Sequence, residues 1–298
     1  MELSPEQRLE GLARDTTSGA TEISRRAAEL LRDVITRSVA LTLDDFVKDL
    51  TQWGSKIIQS QPSMTPLFHL VRSVTRAIQS GVSIEAAQKN ALRALDDFVS
   101  HLRESPGQIA SHFVAAIPQA ATILTHSFSE TVLTALLRAQ ASGRSLSVIA
   151  TESRPQLEGR TLAAHLHRTG IPTTLIVDAA AARWIPTADL VLVGADTVCE
   201  SGVVNKIGTR MIALAAQEMG VSVVVLADSS KFRPSNLPAL DLNHERPPAE
   251  VWADAPVGLR VWNQYFELTP LCLVTTVITE SGGMTPTEVI ENLHRYGE

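Results

Sequence analysis

The sequence predicts an α/β protein with an all-helical N-terminal domain, residues 1–118, and a C-terminal domain on a parallel sheet, residues 119–298. Three observations carry this. Up to Pro118 the apolar residues recur at helical spacing; beyond it, short continuous apolar runs alternate with helical segments. Finally, 44% of the 298 residues are hydrophobic, enough for a sizeable core.

In the first part, "TLDDFVKDLTQWGSKIIQ" sets Phe46, Leu50, Trp53 and Ile57 on one helical face. Thr42 is placed to cap that helix, with Asp44 and Asp45 in its first turn. "SIEAAQKNALRALDDFVSHL" repeats the pattern, and the two prolines of "SQPSMTP" (60–66) interrupt it. In the second part the apolar runs are "ATILTHS" (121–127), "SLSVIAT" (145–151), "TTLIVD" (173–178), "LVLVGAD" (190–196), "SVVVLAD" (222–228) and "LVTTVIT" (273–279). Two intervening segments read as helices ended by Gly143 and Gly170. Runs without polar alternation predict strands covered on both faces. After "LVLVGAD", a turn and "VVNKIGT" lead to a segment read as a helix that begins at Asn205, Lys206, Gly208 and Thr209. Thr285, Pro286 and Glu288 form a capping-box start for the last helix.

A net charge of −6 argues against a broad nucleic-acid-binding surface, so no direct nucleic-acid partner is expected. Two cysteines, Cys199 and Cys272, make no disulfide framework. The opening "MELSPEQRLEGLARD" has no apolar core of a signal peptide, and no apolar run approaches the roughly 20 residues of a membrane span. A cytoplasmic protein is expected. There is no HExxH, no Cys/His ligand set, no GxGxxG and no P-loop, so neither a metal nor a cofactor is expected.

Open parallel sheets bind ligands beyond the carboxyl ends of their strands. That rim carries Ser127 and Ser129, Glu152, Ser153 and Arg154, Asp178, Asp196, Asp228 to Lys231, and Glu280. Arg154 and Lys206 can hold phosphate oxygens, joined by amides at a helix start. Asp196 can accept a hydroxyl hydrogen or exchange a proton. Together they describe a site for a phosphorylated, hydroxyl-rich small molecule. Other roles weigh against parts of this set. Asp178 and Asp228 equally suit a role as caps only. Ser127 and Ser129 equally suit N-caps, and a single Lys206 is more often solvated. Strand alternation turns His126 away from Ser127, making it a packed or surface histidine and a poor base. Cys199, in a turn without a base, reads as inert.

The segments "ILTHSFSETV", "TESRPQLEGR" and "GADTVCESGVVNKIGT", in this order, resemble the initiation factor 2B-related family. "DSSKF", "VWNQYFELTP" and "VITESGGMTPTEV" fit the same pattern. The family contains the alpha, beta and delta subunits of translation initiation factor 2B. It also contains isomerases of methylthioribose 1-phosphate and ribose 1,5-bisphosphate. The resemblance is strong over residues 110–298 and, in the helical part, is one of layout. It implies a helical domain on a Rossmann-like domain, a ligand in the cleft between them, and a homodimer as the basic assembly. In the isomerases, a cysteine in Thr-His-Cys and the Asp of Gly-Ala-Asp flank the sugar and move the proton or hydride. By motif, Asp196 matches the catalytic acid, Arg154 the ligand-binding arginine, with Ser153 beside it, and Asn205–Lys206 the Asn-Lys pair. An Arg-Gly-Ala that grips the substrate is matched by Ser18, Gly19 and Ala20, without the arginine.

The cysteine position departs from the isomerases: "THSF" puts Ser127 there. A hydroxyl is far less acidic than a thiol and needs an adjacent base. The first reading is therefore an alpha-subunit-like protein that binds a phosphorylated sugar or nucleoside monophosphate and serves translation regulation. It would act as a homodimer or higher oligomer with a translation factor as partner. The alternative is a sugar-phosphate aldose–ketose isomerase using Asp196. A purely structural subunit is disfavoured by the retained Asp196, Asn205, Lys206 and Arg154.

Overall fold

Contacts divide the protein into two units, residues 1–104 and 105–298. The structure is a computed structural model and describes residues 3–16, 18–237, 240, 242 and 245–297. The division falls beside Pro106, inside one long helix. A proline there cannot donate to the helical ladder.

The first unit is helical. It holds α1 (Pro5–Arg14), α2 (Ala20–Thr36), α3 (Leu43–Ser60), α4 (Thr65–Gln79) and the start of α5 (Ile84–Ala116). The Ser4 hydroxyl and the Gln7 side chain close a capping box on α1. Thr42 caps α3, accepting from Asp45 N at 3.1 Å. Phe46, Leu50 and Ile57 are buried on the expected α3 face. Trp53 is only half-buried, and Gly54 packs inward against Val71 instead.

The second unit carries a seven-stranded sheet. Its strands are β1 (Ala120–Thr125), β2 (Ser145–Thr151), β3 (Thr173–Ile176), β4 (Leu190–Gly194), β7 (Ser222–Leu226), β9 (Thr276–Thr279) and β10 (Gly282–Met284). Their order is β10-β9-β7-β4-β1-β2-β3, parallel except for the antiparallel β9–β10 hairpin. The connecting helices are α6 (Glu130–Ala141), α7 (Glu158–Arg168), α8 (Ala181–Trp184), α9 (Thr209–Glu218) and α10 (Pro286–Gly297). Alternate residues of the inner strands feed two cores. Leu190 and Leu192 join Ile123, Val148, Val132 of α6 and Leu162 of α7 on one face. Val191 and Val193 join Val223, Val277, Ile212 of α9 and Val289 of α10 on the other. Both faces of the inner strands are covered, which is why they read as continuous apolar runs; β3 departs from that expectation, because at the sheet edge it leaves Thr174 and Leu175 exposed. Thr285 and Glu288 close the expected capping box on α10.

A second sheet departs from the sequence reading. β5 (Thr197–Cys199), β6 (Gly202–Lys206) and β8 (Phe266–Thr269) form an antiparallel ribbon in the order β5-β6-β8. Asn205 and Lys206 thus end a strand, paired with Glu267 and Phe266, and do not open a helix. The β-branched Val203 and Val204 favour this pairing. α9 begins later, at Thr209, after Gly208 at φ 104°.

Candidate functional site

The chain runs β1, β2, β3 outward to one edge, then returns to place β4 on the other side of β1. The crevice at such a reversal is where open sheets take ligands. Ser127 follows β1 and Asp196 follows β4, so the topology sets both at the carboxyl ends of neighbouring strands. Gly194, at the end of β4, packs so closely on the Ser129 hydroxyl that a Cβ would lie 2.6 Å from it. Ser129 caps α6, accepting from Val132 N at 3.3 Å. Ser127 does not cap.

The Ser127 backbone is left-handed, φ 69°, and so are Ser153 (φ 63°) and Leu157 (φ 62°) on the neighbouring turn. Non-glycine residues adopt this conformation rarely and concentrate at functional sites. Here polar contacts hold two of them. Ser127 N–H donates to Ser153 Oγ at 2.7 Å. Asp178 accepts from the backbone N–H groups of Ser153 and Arg154, both at 2.7 Å. Asp178 therefore ties down the turn after β2. Asp228 acts locally, accepting from Ser230 N at 3.0 Å to cap its own short 3-10 turn. Ser153 is fully buried and its hydroxyl is engaged by Ser127.

His126 lies beyond the end of β1, where strand alternation no longer fixes direction. It is buried, with Nδ1 2.6 Å from Thr151 Oγ1 and Nε2 2.8 Å from the Ile207 carbonyl oxygen. Burial pushes its pKa down; the Ile207 bond and nearby Asp178 oppose this, and Lys206 adds to it. Its ring also excludes a side chain at Gly208, where a Cβ would sit 3.1 Å from Nε2. His126 thus packs and joins strand ends. Among the described residues, no hydrogen bond supplies a base to the Ser127 hydroxyl.

Asp196 is 8% exposed, and its N–H donates to the Val204 carbonyl at 2.9 Å, which anchors it to β6. Asn205 Nδ2 donates to Thr209 Oγ1 at 3.1 Å. Lys206 is only 3% exposed, against the expectation for a single lysine. Its ammonium pairs with Glu158 and lies 4.9 Å from the Tyr265 ring and 5.4 Å from that of Phe266. Arg154 is exposed, and its Nη2 donates to the carbonyls of Val251 (2.8 Å) and Glu250 (3.3 Å). Glu250 also accepts from the Tyr265 hydroxyl at 2.5 Å, and Gln156 donates to that hydroxyl at 2.8 Å. Arg154 and Lys206 are thereby linked through Tyr265 and Glu250.

The helix start expected to bind phosphate is already occupied. Glu267 Oε1 accepts from Gly208 N at 2.6 Å and Arg210 N at 3.0 Å, so α9 carries its own anion. Sequence reasoning missed Glu158, Tyr265 and Glu267. All three lie in the quoted segments, yet nothing in their spacing reveals the partners the fold gives them.

Gly19 and Ala20 belong to the first unit. Gly19 is the N-cap of α2, with open space where a Cβ would be, and Ala20 is buried as its first residue. Ser18 donates from its N–H and its hydroxyl to Asp15, both at 2.9 Å, and Arg26 pairs with the same carboxylate. Cys199 is half-buried and donates to the Gly202 carbonyl; burial pushes its thiol pKa up, away from the reactive thiolate. Among the described residues no group of three His, Cys, Asp or Glu side chains is placed to hold a metal ion, and no helix is long and apolar enough to cross a membrane.

A profile of the Initiation factor 2 subunit family matches residues 16–286. The chain is 33% identical over 272 residues to a ribose 1,5-bisphosphate isomerase of Archaeoglobus fulgidus, covering 90% of this chain and 85% of the relative. It is 31% identical over 286 residues to the protein of that name from Thermococcus kodakarensis, covering 92% and 89%. A crystal structure of Pyrococcus horikoshii translation initiation factor eIF-2B superposes with a TM-score of 0.85 at 28% identity, covering 97% of this chain and all of that one.

Proposed function

The chain belongs to the initiation factor 2 subunit family, and from that premise we propose that it is a sugar-phosphate aldose–ketose isomerase with ribose 1,5-bisphosphate as substrate. The observation that carries this reading is the likeness, over nine-tenths of the chain, to relatives bearing that name. It reverses the order of the two readings drawn from the sequence, which put a regulatory binding protein first. The chemistry is an isomerisation and needs no co-reactant. As the furanose ring opens, its oxygen gains a proton. Hydrogen moves from C2 to C1, and the 2-hydroxyl releases its proton as C2 becomes a carbonyl. Asp196 is the group that takes the hydroxyl proton and returns it to the ring oxygen. Arg154 holds a phosphate, and Asn205, Lys206 and Ser127 line the sugar. The assembly in this reading is a homodimer.

A second reading, a regulatory protein binding a sugar phosphate or nucleoside monophosphate, is favoured by one observation. Among the described residues no base meets the Ser127 hydroxyl, and both nitrogens of His126 are used elsewhere. Ketose formation from ribose 1,5-bisphosphate separates the two. The isomerase reading expects turnover that falls about 10²–10⁴-fold in Asp196→Asn and rises in Ser127→Cys. Saturable binding of the bisphosphate with no ketose from the wild type or Ser127→Cys would leave the regulatory reading in its place.

A further inference from the structure

Lys206 and Glu158 form a buried ion pair, their side chains 4% and 9% exposed. One carboxylate oxygen, Oε1, meets the ammonium; the other, Oε2, is buried with no hydrogen-bond partner among the described residues. Among the described residues, the ammonium faces Glu158 and the rings of Tyr265 and Phe266, which leaves N–H donors on it. We propose that Glu158 positions Lys206 and changes what it recognises: the pair takes a hydroxyl of a sugar phosphate, and the phosphate goes to Arg154.

The reason is donor and acceptor count. An ionised carboxylate only accepts hydrogen bonds, and an ammonium only donates them. A group that meets both must do both, as a hydroxyl does: its oxygen accepts from Nζ and its hydrogen goes to the carboxylate. A phosphate at neutral pH presents acceptor oxygens and negative charge, which the carboxylate beside Lys206 repels. The terminal torsion of a glutamate is soft, so either carboxylate oxygen can turn toward the ligand. Arg154, by contrast, is exposed and, among the described residues, spends only Nη2, on the Glu250 and Val251 carbonyls, leaving its other donors suited to phosphate. Tyr265 fixes the separation of the two sites, lying under Lys206 while its hydroxyl bonds Glu250.

The assignment of a sugar hydroxyl rests on the isomerase reading; the exclusion of phosphate does not, and the test uses that difference. Inorganic phosphate is titrated calorimetrically into the wild type, Glu158→Gln and Glu158→Asp, and KM for ribose 1,5-bisphosphate is measured on the same proteins. Removing the repelling charge in Glu158→Gln is expected to tighten phosphate binding about fivefold. Losing a charged hydrogen bond to the sugar is expected to raise KM about tenfold. Glu158→Asp keeps the charge, so it should bind phosphate like the wild type; tighter binding there overturns the proposal. So does a Glu158→Gln protein that binds phosphate no tighter than the wild type. A wild type that forms no ketose while Glu158→Gln still gains phosphate affinity sinks the isomerase reading and leaves the Glu158 assignment of phosphate exclusion standing.

Discussion

At His126, burial outweighs the contacts that favour a charge. The ring sits between Thr151 and the Ile207 carbonyl, and desolvation lowers its pKa from the ordinary value near 6.5. The folded state therefore resists a proton that the unfolded chain accepts. Below the unfolded value the unfolded state binds more protons, so stability falls as pH drops from about 6.5 toward the lower folded value. Urea midpoints measured from pH 7.5 to pH 5 should decrease in the wild type, and the decrease should be shallower in His126→Gln. Equal slopes would mean that His126 does not carry the effect. Lys206 is buried as well, with a carboxylate and two aromatic rings around its ammonium. Ser127 and Ser153 show what the local backbone costs. Left-handed backbone at a serine is unfavourable by about 1–3 kcal/mol. The Ser127–Ser153 and Ser153–Asp178 hydrogen bonds offset part of that.

Among the elements, the turn from β2 into α7 is the most tightly built. Gly159 in the first turn of α7 lets the helix lie against the end of β2. A Cβ there would come 1.8 Å from the Thr151 carbonyl oxygen and 2.8 Å from Ser153 Oγ, so the backbone would have to move. Gly159→Ala is expected to destabilise the protein by about 1–3 kcal/mol. It would also displace Ser153 and hence Ser127. Gly107, in α5 with open space around it, is the control: Gly107→Ala should stabilise by about 0.5–1 kcal/mol. Urea midpoints of the two variants should move in opposite directions; a Gly159→Ala midpoint at or above the wild type would refute the packing argument. The β5-β6-β8 ribbon matters for a different reason. It carries Asn205 and Lys206 on one strand and Glu267 on another, so one small sheet supplies candidate site residues and neutralises the start of α9.

For the molecule as a whole, the family reading expects a homodimer built mainly from the second unit. Met211 and Leu214 on α9 and Trp252 and Trp262 before β8 leave large apolar side chains exposed in the single chain. Light scattering at micromolar concentration should give twice the mass of one chain, for the full protein and for a version lacking the first helices. A stable monomer of the full protein would count against it.

The sequence by itself determined the class of each half and six strands of the main sheet, because inner strands buried on both faces are apolar throughout, the edge strand β3 is a short run of the same kind, and a capped amphipathic helix carries its own period. It also placed Asp196 and Ser127 just past the carboxyl ends of neighbouring strands, the rim where open sheets of this kind take ligands. The ribbon was not legible: its strands are three to five residues long, two of them flank the short turn that follows "GAD", and β8 lies far along the chain. Nor could the sequence tell that Lys206 is buried, that Glu158 meets it, or that Glu267 fills the start of α9. Those facts depend on side chains from segments about 50 or more residues apart. Only the folded backbone brings them together, and only then does burial fix which charges must be paired.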